Sequence, residues 1–376
     1  MNDLDGLGQL GAAVRAPAAG GGVRVVGLGE STHGTAEFFR LKHRLVEYLV
    51  TAHGFRTFAM EASASAAPAV DAYVRGRGTA ADGAAALTGL GFWVWRTREV
   101  LDLLDWLRAY NRGRAAADQV GFAGIDAQRC AASVAYFASG GTDGKGGRGG
   151  SADGLAVLAE AHPGQYPERR DELTALVRAL VPADAEGERH ARILVRAADV
   201  VTCASPAEVG RVRDGHMTDA VGELLTADPD ARIALWAHNG HIAVQGASLG
   251  ARLRERYGSA YYALGLFFGE GAFRARRMWP GPWGPRTRRP SPVAVNRVGP
   301  PPPGSLEARL GAGGRGPYVH DLRASAESWP HETLASRSYG AYVARGVYHW
   351  NSMPTTPATE YDGLAYVPLS TPSTPL

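Results

Sequence analysis

Cysteine is scarce in this chain: Cys130 and Cys203 are the only two in 376 residues. They stand far apart with no CxxC partner, which excludes a disulfide scaffold and suits a reducing compartment. A surplus of one charge sign is missing too. Forty basic residues face 37 acidic ones, giving a net charge of +3, and the basic ones are scattered. With no basic stripe, interleaved aromatics or zinc-finger spacing, nothing marks a nucleic-acid footprint. No window approaches about 18 uninterrupted apolar residues, so no transmembrane helix is expected. The opening MNDLDGLGQLGAAVRAPAAGGG lacks the basic start and apolar core of a signal peptide. These absences predict a soluble, cytoplasmic protein without nucleic-acid or membrane partners.

At 45% apolar, the chain is long enough to bury a sizeable core as one large domain or two. VRVVGL (23–28) is short, β-branched and bounded by glycines, and reads as a buried strand. Residues 35–53 read as a helix whose apolar positions Phe38, Leu41, Leu45, Val46, Leu49 and Val50 share one arc. Lys42 falls in the middle of that arc, and an inward amine needs a partner. Gly54 stops the helix, and FRTFAM (55–60) follows as a second strand ending at Glu61. This is a βαβ unit with parallel strands and a right-handed crossover. Thr97 is available to cap the amphipathic helix 97–111. Further strands are read at 119–126, 231–238, 260–268 and 363–369.

The expected fold is α/β: a parallel or mostly parallel central sheet flanked by helices, with a helical cap over its carboxyl edge. An N-terminal segment (1–22) precedes the first part of the core (23–130). The mostly helical cap (131–228) contains a Gly-rich, flexible loop at 139–154. The second part of the core (229–376) contains a Pro-rich loop at 279–304.

The reactive residues fall at strand ends. Glu30 and His33 follow the first strand, Glu61 closes the second, Asp126 the third and His238 the fourth, with His241 just beyond. Open α/β sheets bind ligands outside the carboxyl ends of their parallel strands. Any one of these residues alone reads more readily as a cap or a satisfied core group; four strand ends together favour an acid–base site. His33 lies at the start of a helix, whose positive end disfavours imidazolium and leaves a neutral general base. Glu30 or Glu61 can accept the other ring N–H and fix the tautomer. His238 and His241 can donate to an oxyanion or a leaving group, and Lys42 can balance the glutamates or polarise a carbonyl. Lys42, Asp126, Trp93 and Asn239 form the candidate substrate-binding set.

Three rival motifs are weaker. HNGH with the two glutamates offers zinc-ligand types, but no HExxH or other dense ligand spacing occurs, so a metal is not favoured and no cofactor is expected. GASLG (246–250) matches GxSxG around Ser248, yet no strand runs directly into it as a nucleophile elbow requires. GLGEST lacks the third glycine and the lysine of a phosphate cradle.

The stretch GLGESTHGTAEFFRLKHRLVEYLVTAHGFRTFAMEAS resembles the erythromycin esterase family. So do WRTREVLDLLDWLRAYN, VGFAGIDAQ, RVRDGHMTDAV, ALWAHNGHIA and YDGLAYVPLSTP, in order over nearly the whole chain. The resemblance implies a parallel α/β core with a helical cap over a cleft. It also implies hydrolysis of an ester or lactone by histidine-activated water, without an acyl-enzyme and without metal. By position it puts the catalytic base on His33, the acid before it on Glu30, the second glutamate on Glu61 and the paired histidines on His238 and His241. A basic residue on the following helix falls on Lys42, where some members have arginine. The Gly-rich 139–154 run and the Pro-rich 279–304 region depart from the family pattern, which leaves the macrolide substrate open. A small-molecule substrate is expected throughout. The alternative is a natural-product biosynthetic enzyme using the same Glu/His site for a cyclisation, elimination or acyl transfer.

Overall fold

The computed structural model of the protein describes residues 6–15, 22–79, 82–139, 154–278, 291–312 and 316–376. Its strands in chain order are β1 (Val25–Leu28), β2 (Thr57–Ser63), β3 (Gly121–Asp126), β4 (Ile233–Trp236), β5 (Tyr261–Met278) and β6 (Val293–Val298). There follow β7 (Tyr318–Asp321), β8 (Leu334–Arg337), β9 (Tyr342–Ala344), β10 (Ser352–Thr355) and β11 (Gly363–Ser370). The fold is α/β with a mostly parallel central sheet, as the βαβ pattern predicts. The chain divides into two compact units: Met1–Phe58, Thr97–Leu103 and Ala231–Leu376 form one, Ala59–Arg96 and Leu104–Asp230 the other.

In the first unit β1 is central, parallel to β4 on one side and to β5 on the other. All four of its residues are buried, which is why it reads as a continuous apolar run rather than an alternating one. β11 extends the parallel set beyond β5, and β7 closes it antiparallel. The helix Ala36–His53 leaves the end of β1, buries Phe38, Leu41, Lys42, Leu45, Val46 and Leu49, and stops at Gly54 in the left-handed conformation.

In the second unit β3 lies beside β2, and Ala64 N–H donates to Asp126 O at 2.8 Å. The helices Ala67–Val74, Asp82–Gly89, Ala131–Ala138, Arg170–Arg178, Ala185–Val201 and Pro206–Ala227 make up most of the rest. A core of Cys130, Phe137, Leu155, Leu158, Leu173, Ile193, Leu194 and Val201 holds several of them together. Cys130 and Cys203 are both buried and not joined to each other. None of the described helices is long and apolar enough to cross a membrane.

Two expectations need correction. The strand read at 260–268 continues to Met278, because its distal half pairs antiparallel with β6 from Gly271 to Arg276. β6 itself lies inside the stretch read as a Pro-rich loop at 279–304. Its valines and the buried Asn296 were masked by surrounding prolines, which are compatible with a strand's first residue and its flanks. Residues 279–290 of that stretch, and 140–153 of the Gly-rich one, lie outside the described residues.

Candidate active site

The register of the central strands brings two of the predicted residues together. Leu28 of β1 sits opposite Trp236 of β4, so Glu30 and His238 stand level, each two residues past its strand. The backbone continues the pairing there, with Asn239 N–H donating to Glu30 O at 2.9 Å. The turn after β1 then lies flush against β5: Arg274 N–H donates to Gly34 O at 3.0 Å. A Cβ on residue 34 would fall 2.0 Å from Arg274 O, so only glycine fits beside His33.

Glu30 is fully buried and accepts from three side chains. His33 Nδ1 lies 2.6 Å from Oε1, while Lys42 Nζ and Trp236 Nε1 donate to Oε2 at 2.8 and 3.0 Å. Lys42 is also enclosed, with Nζ 4.3 Å from the centre of the Trp236 ring. Burial alone raises the Glu30 carboxyl; the Lys42 charge and the His33 hydrogen bond outweigh it and hold the group below its ordinary value. Ionised Glu30 accepts from the Nδ1–H of His33, so in a singly protonated ring Nε2 is the acceptor nitrogen.

His238 packs beside His33, ring centres 4.9 Å apart. Its Nδ1 accepts the Gly240 N–H at 3.1 Å, which leaves Nε2 as the proton-bearing atom, 3.2 Å from Tyr339 O. Tyr339 N–H in turn donates to Ser31 O at 2.7 Å. Asn239 is tied to the sheet: Nδ2 donates to Leu266 O at 2.9 Å and Oδ1 accepts Leu266 N–H at 3.1 Å. That is the pattern of a strand partner, made by a side chain in place of a backbone peptide. His241 lies half-buried in the short helix Asn239–Ile242.

The second unit carries its own cluster. Glu61 lies within β2, which runs on to Ser63 rather than stopping at the acid. Arg213, on the helix Pro206–Ala227, donates through Nη2 to Glu61 Oε1 and Asp126 Oδ2, both at 2.6 Å, and through Nε to the same Asp126 oxygen at 3.1 Å. Gln128 adds donations from its side chain at 2.8 Å and its backbone at 3.1 Å, filling both oxygens of fully buried Asp126. Burial works against the guanidinium, but Asp126 and Glu61 outweigh it and raise its proton affinity well above the usual value. Trp93 is half-buried in the same unit, whereas neighbouring Trp95 is buried and donates to Glu61 O at 3.1 Å. Among the described residues, no group of three or more His, Cys, Asp or Glu side chains is placed to hold a metal ion.

A profile of the erythromycin esterase family matches residues 50–370. The chain belongs to the erythromycin esterase family. The erythromycin esterase type II of Escherichia coli is 34% identical over 109 residues. That match spans 29% of this chain and only 25% of the relative's own length. Solved structures share the fold. A succinoglycan biosynthesis protein superposes with a TM-score of 0.71 at 19% identity, covering 94% of this chain and 89% of that one. A Bacillus cereus protein gives 0.71 at 21% identity, with 94% and 90% covered. A mutant of the erythromycin esterase EreC in its open conformation gives 0.63 at 18%, with 93% and 92% covered. The erythromycin esterase match contains Glu61, Asp126, Arg213, His238 and His241 and begins downstream of Glu30, His33 and Lys42.

Three residues of these clusters were not singled out from the sequence: Arg213, Trp236 and Tyr339. The first two lie in RVRDGHMTDAV and ALWAHNGHIA, stretches that carry the family likeness. Neither residue type announces chemistry, and their roles depend on partners more than 80 residues away in sequence: Arg213 meets Asp126 and Trp236 meets Glu30.

Proposed function

We propose that the protein hydrolyses an ester or lactone, a macrolide-type lactone among the candidates, by water activated at His33. The observation that carries this reading is the buried Glu30–His33 contact of 2.6 Å. It fixes Nδ1 as the donor and Nε2 as the base. Family membership and the partial match to an erythromycin esterase support the reaction class.

In the proposed step His33 Nε2 takes a proton from water as the oxygen adds to the acyl carbon. The imidazolium so formed is stabilised by ionised Glu30. It then returns the proton to the departing alkoxide, giving a carboxylic acid and an alcohol with no acyl-enzyme. Lys42 acts as a positioning residue: its ammonium faces Glu30 and Trp236. His238 flanks His33, and donation from its Nε2 to an oxyanion requires parting from Tyr339 O. The step calls on no cofactor. A reducing, cytoplasmic setting belongs to the same proposal and rests on the scarcity of cysteine in the sequence.

The test is mass spectrometry on a panel of macrolactones and simple esters, with wild type beside His33→Ala. The wild type should yield a product one water heavier from a macrolactone, and from a simple ester an acid and an alcohol whose masses together exceed the ester by one water. His33→Ala should lose about 100- to 10,000-fold in rate, the range for removing a general base. Equal hydrolysis by the variant overturns the assignment of the base. A product of unchanged mass replaces hydrolysis with an intramolecular reaction.

A further inference from the structure

The second unit contains a cleft of about 760 Å³ that the proposed hydrolysis does not use. Its walls are largely apolar, formed by Ala66, Pro68, Ala69 and Ala86 on one side and Ala132 and Ala135 on the other. At its base lies Ser65, only 2% exposed. Tyr136, stacked on the His190 ring at 4.5 Å, also lines it.

Behind Ser65 runs a chain of hydrogen bonds whose direction chemistry fixes. Arg189 Nη2 lies 2.9 Å from His190 Nε2, and a guanidinium only donates, so Nε2 is the acceptor. His190 therefore carries its proton on Nδ1, 2.8 Å from Ser133 Oγ, and donates to it. Burial, then the Arg189 charge, pushes the imidazole down to about 4, which keeps it neutral near pH 7. Ser133 Oγ donates onward to Ser65 Oγ at 2.8 Å, and Ser133 N–H donates to the same oxygen at 2.7 Å. Two hydroxyl protons are present and one is used between the serines. The other has no acceptor among the described residues.

This polarity runs opposite to that of a catalytic triad. There the imidazole accepts a hydroxyl proton; here it donates one, because arginine occupies its other nitrogen. Ser65 is thus not an activated nucleophile. It is a buried donor at the end of a relay that begins at a cation, where each donation strengthens the next. A buried donor without an acceptor is costly, and a ligand oxygen removes that cost. The acids Asp82 and Glu186 line the cleft together with the Arg189 cation, so the lining carries no surplus of positive charge to hold an anion.

We propose that this cleft is a second small-molecule site, taking a neutral, largely apolar molecule that presents a ketone or ester carbonyl oxygen to Ser65. It is independent of the Glu30–His33 chemistry.

The test is a titration of the full-length protein, labelled with 13C at alanine methyls, with cyclooctanone as the probe and cyclooctane as the hydrocarbon control. Cyclooctanone should shift the methyls of Ala66, Ala69, Ala86, Ala132 and Ala135 saturably, and cyclooctane should bind more weakly. Ser65→Ala should weaken the ketone about fivefold, one neutral hydrogen bond, with methyls away from the cleft unmoved. Ala135→Trp, at an exposed helix position, should block binding while leaving Ser65 intact. His33→Ala should titrate like wild type while losing hydrolysis. Absence of shifts at the cleft, equal affinity for both probes, or unchanged ketone affinity in either Ser65→Ala or Ala135→Trp overturns the proposal.

Discussion

Two buried acid clusters, one in each unit, solve the same electrostatic problem in different ways. Glu30 and Asp126 are both fully enclosed, and an enclosed carboxylate must be paired and hydrogen-bonded. Asp126, together with Glu61, is answered by Arg213, whose guanidinium never gives up its proton. Glu30 is answered by Lys42, by the neutral indole of Trp236 and by His33. Only the last is an imidazole, the side-chain type suited to giving and taking a proton in general acid–base chemistry. The arginine cluster therefore holds a fixed charge state. In the proposed reaction the glutamate–histidine cluster passes a proton out and takes it back while Glu30 stays ionised, a cycle the guanidinium of the other cluster does not offer.

That contrast can be broken experimentally, the largest effect coming from the locked cluster. Arg213→Met leaves two carboxylates without their shared cation and should cost about 3–5 kcal/mol, the range for breaking a buried pair. Urea unfolding measures this, and a loss under about 1 kcal/mol would reduce the cluster to a surface-like pair.

Lys42→Met should cost less, about 2–3 kcal/mol, since Trp236 and His33 still donate to Glu30. It should also alter the acid limb of stability. Glu30 is held below its ordinary value in the folded protein. Its contribution is therefore present above the unfolded value of about 4.3 and fades as pH falls through the folded value. Removing Lys42 narrows that window, so the slope of unfolding free energy against pH in the acid range should flatten in the variant. An identical slope would detach Lys42 from Glu30.

Trp236→Phe removes one donor to a charged group and keeps most of the packing. It should cost about 1.5 kcal/mol, the low end for such bonds, and should lower hydrolysis less than His33→Ala. Loss of all activity in Trp236→Phe would mean that the indole does more than hold Glu30.

Local periodicity made much of the first unit readable. The apolar run of β1, the helix arc and Gly54 are determined by neighbours in sequence, and the helical spacing put Lys42 on the inward side, where it lies. The additions β6, β7, β8 and β10, all antiparallel, and the parallel β9 did not show. They are three to six residues long and each carries exposed or half-buried positions, so their pattern is set by partners rather than by their own composition. Of the candidate site, the types and strand-end positions of Glu30, His33 and His238 could be read directly. Their partners could not, since an indole donor and a backbone carbonyl carry no chemical signature until the chain is folded.

The backbone N–H and C=O of Tyr339 join the segments that bear the two neighbouring histidines. Its N–H holds Ser31 O, two residues before His33, and its carbonyl faces His238 Nε2. The backbone of one residue therefore bridges segments more than 200 residues apart in the chain. Displacing that residue would loosen both rings in one event rather than two, making the histidine pair a single cooperative opening element. Amide exchange at Tyr339 would then report the lifetime of the assembled pair, as a clock read from one proton.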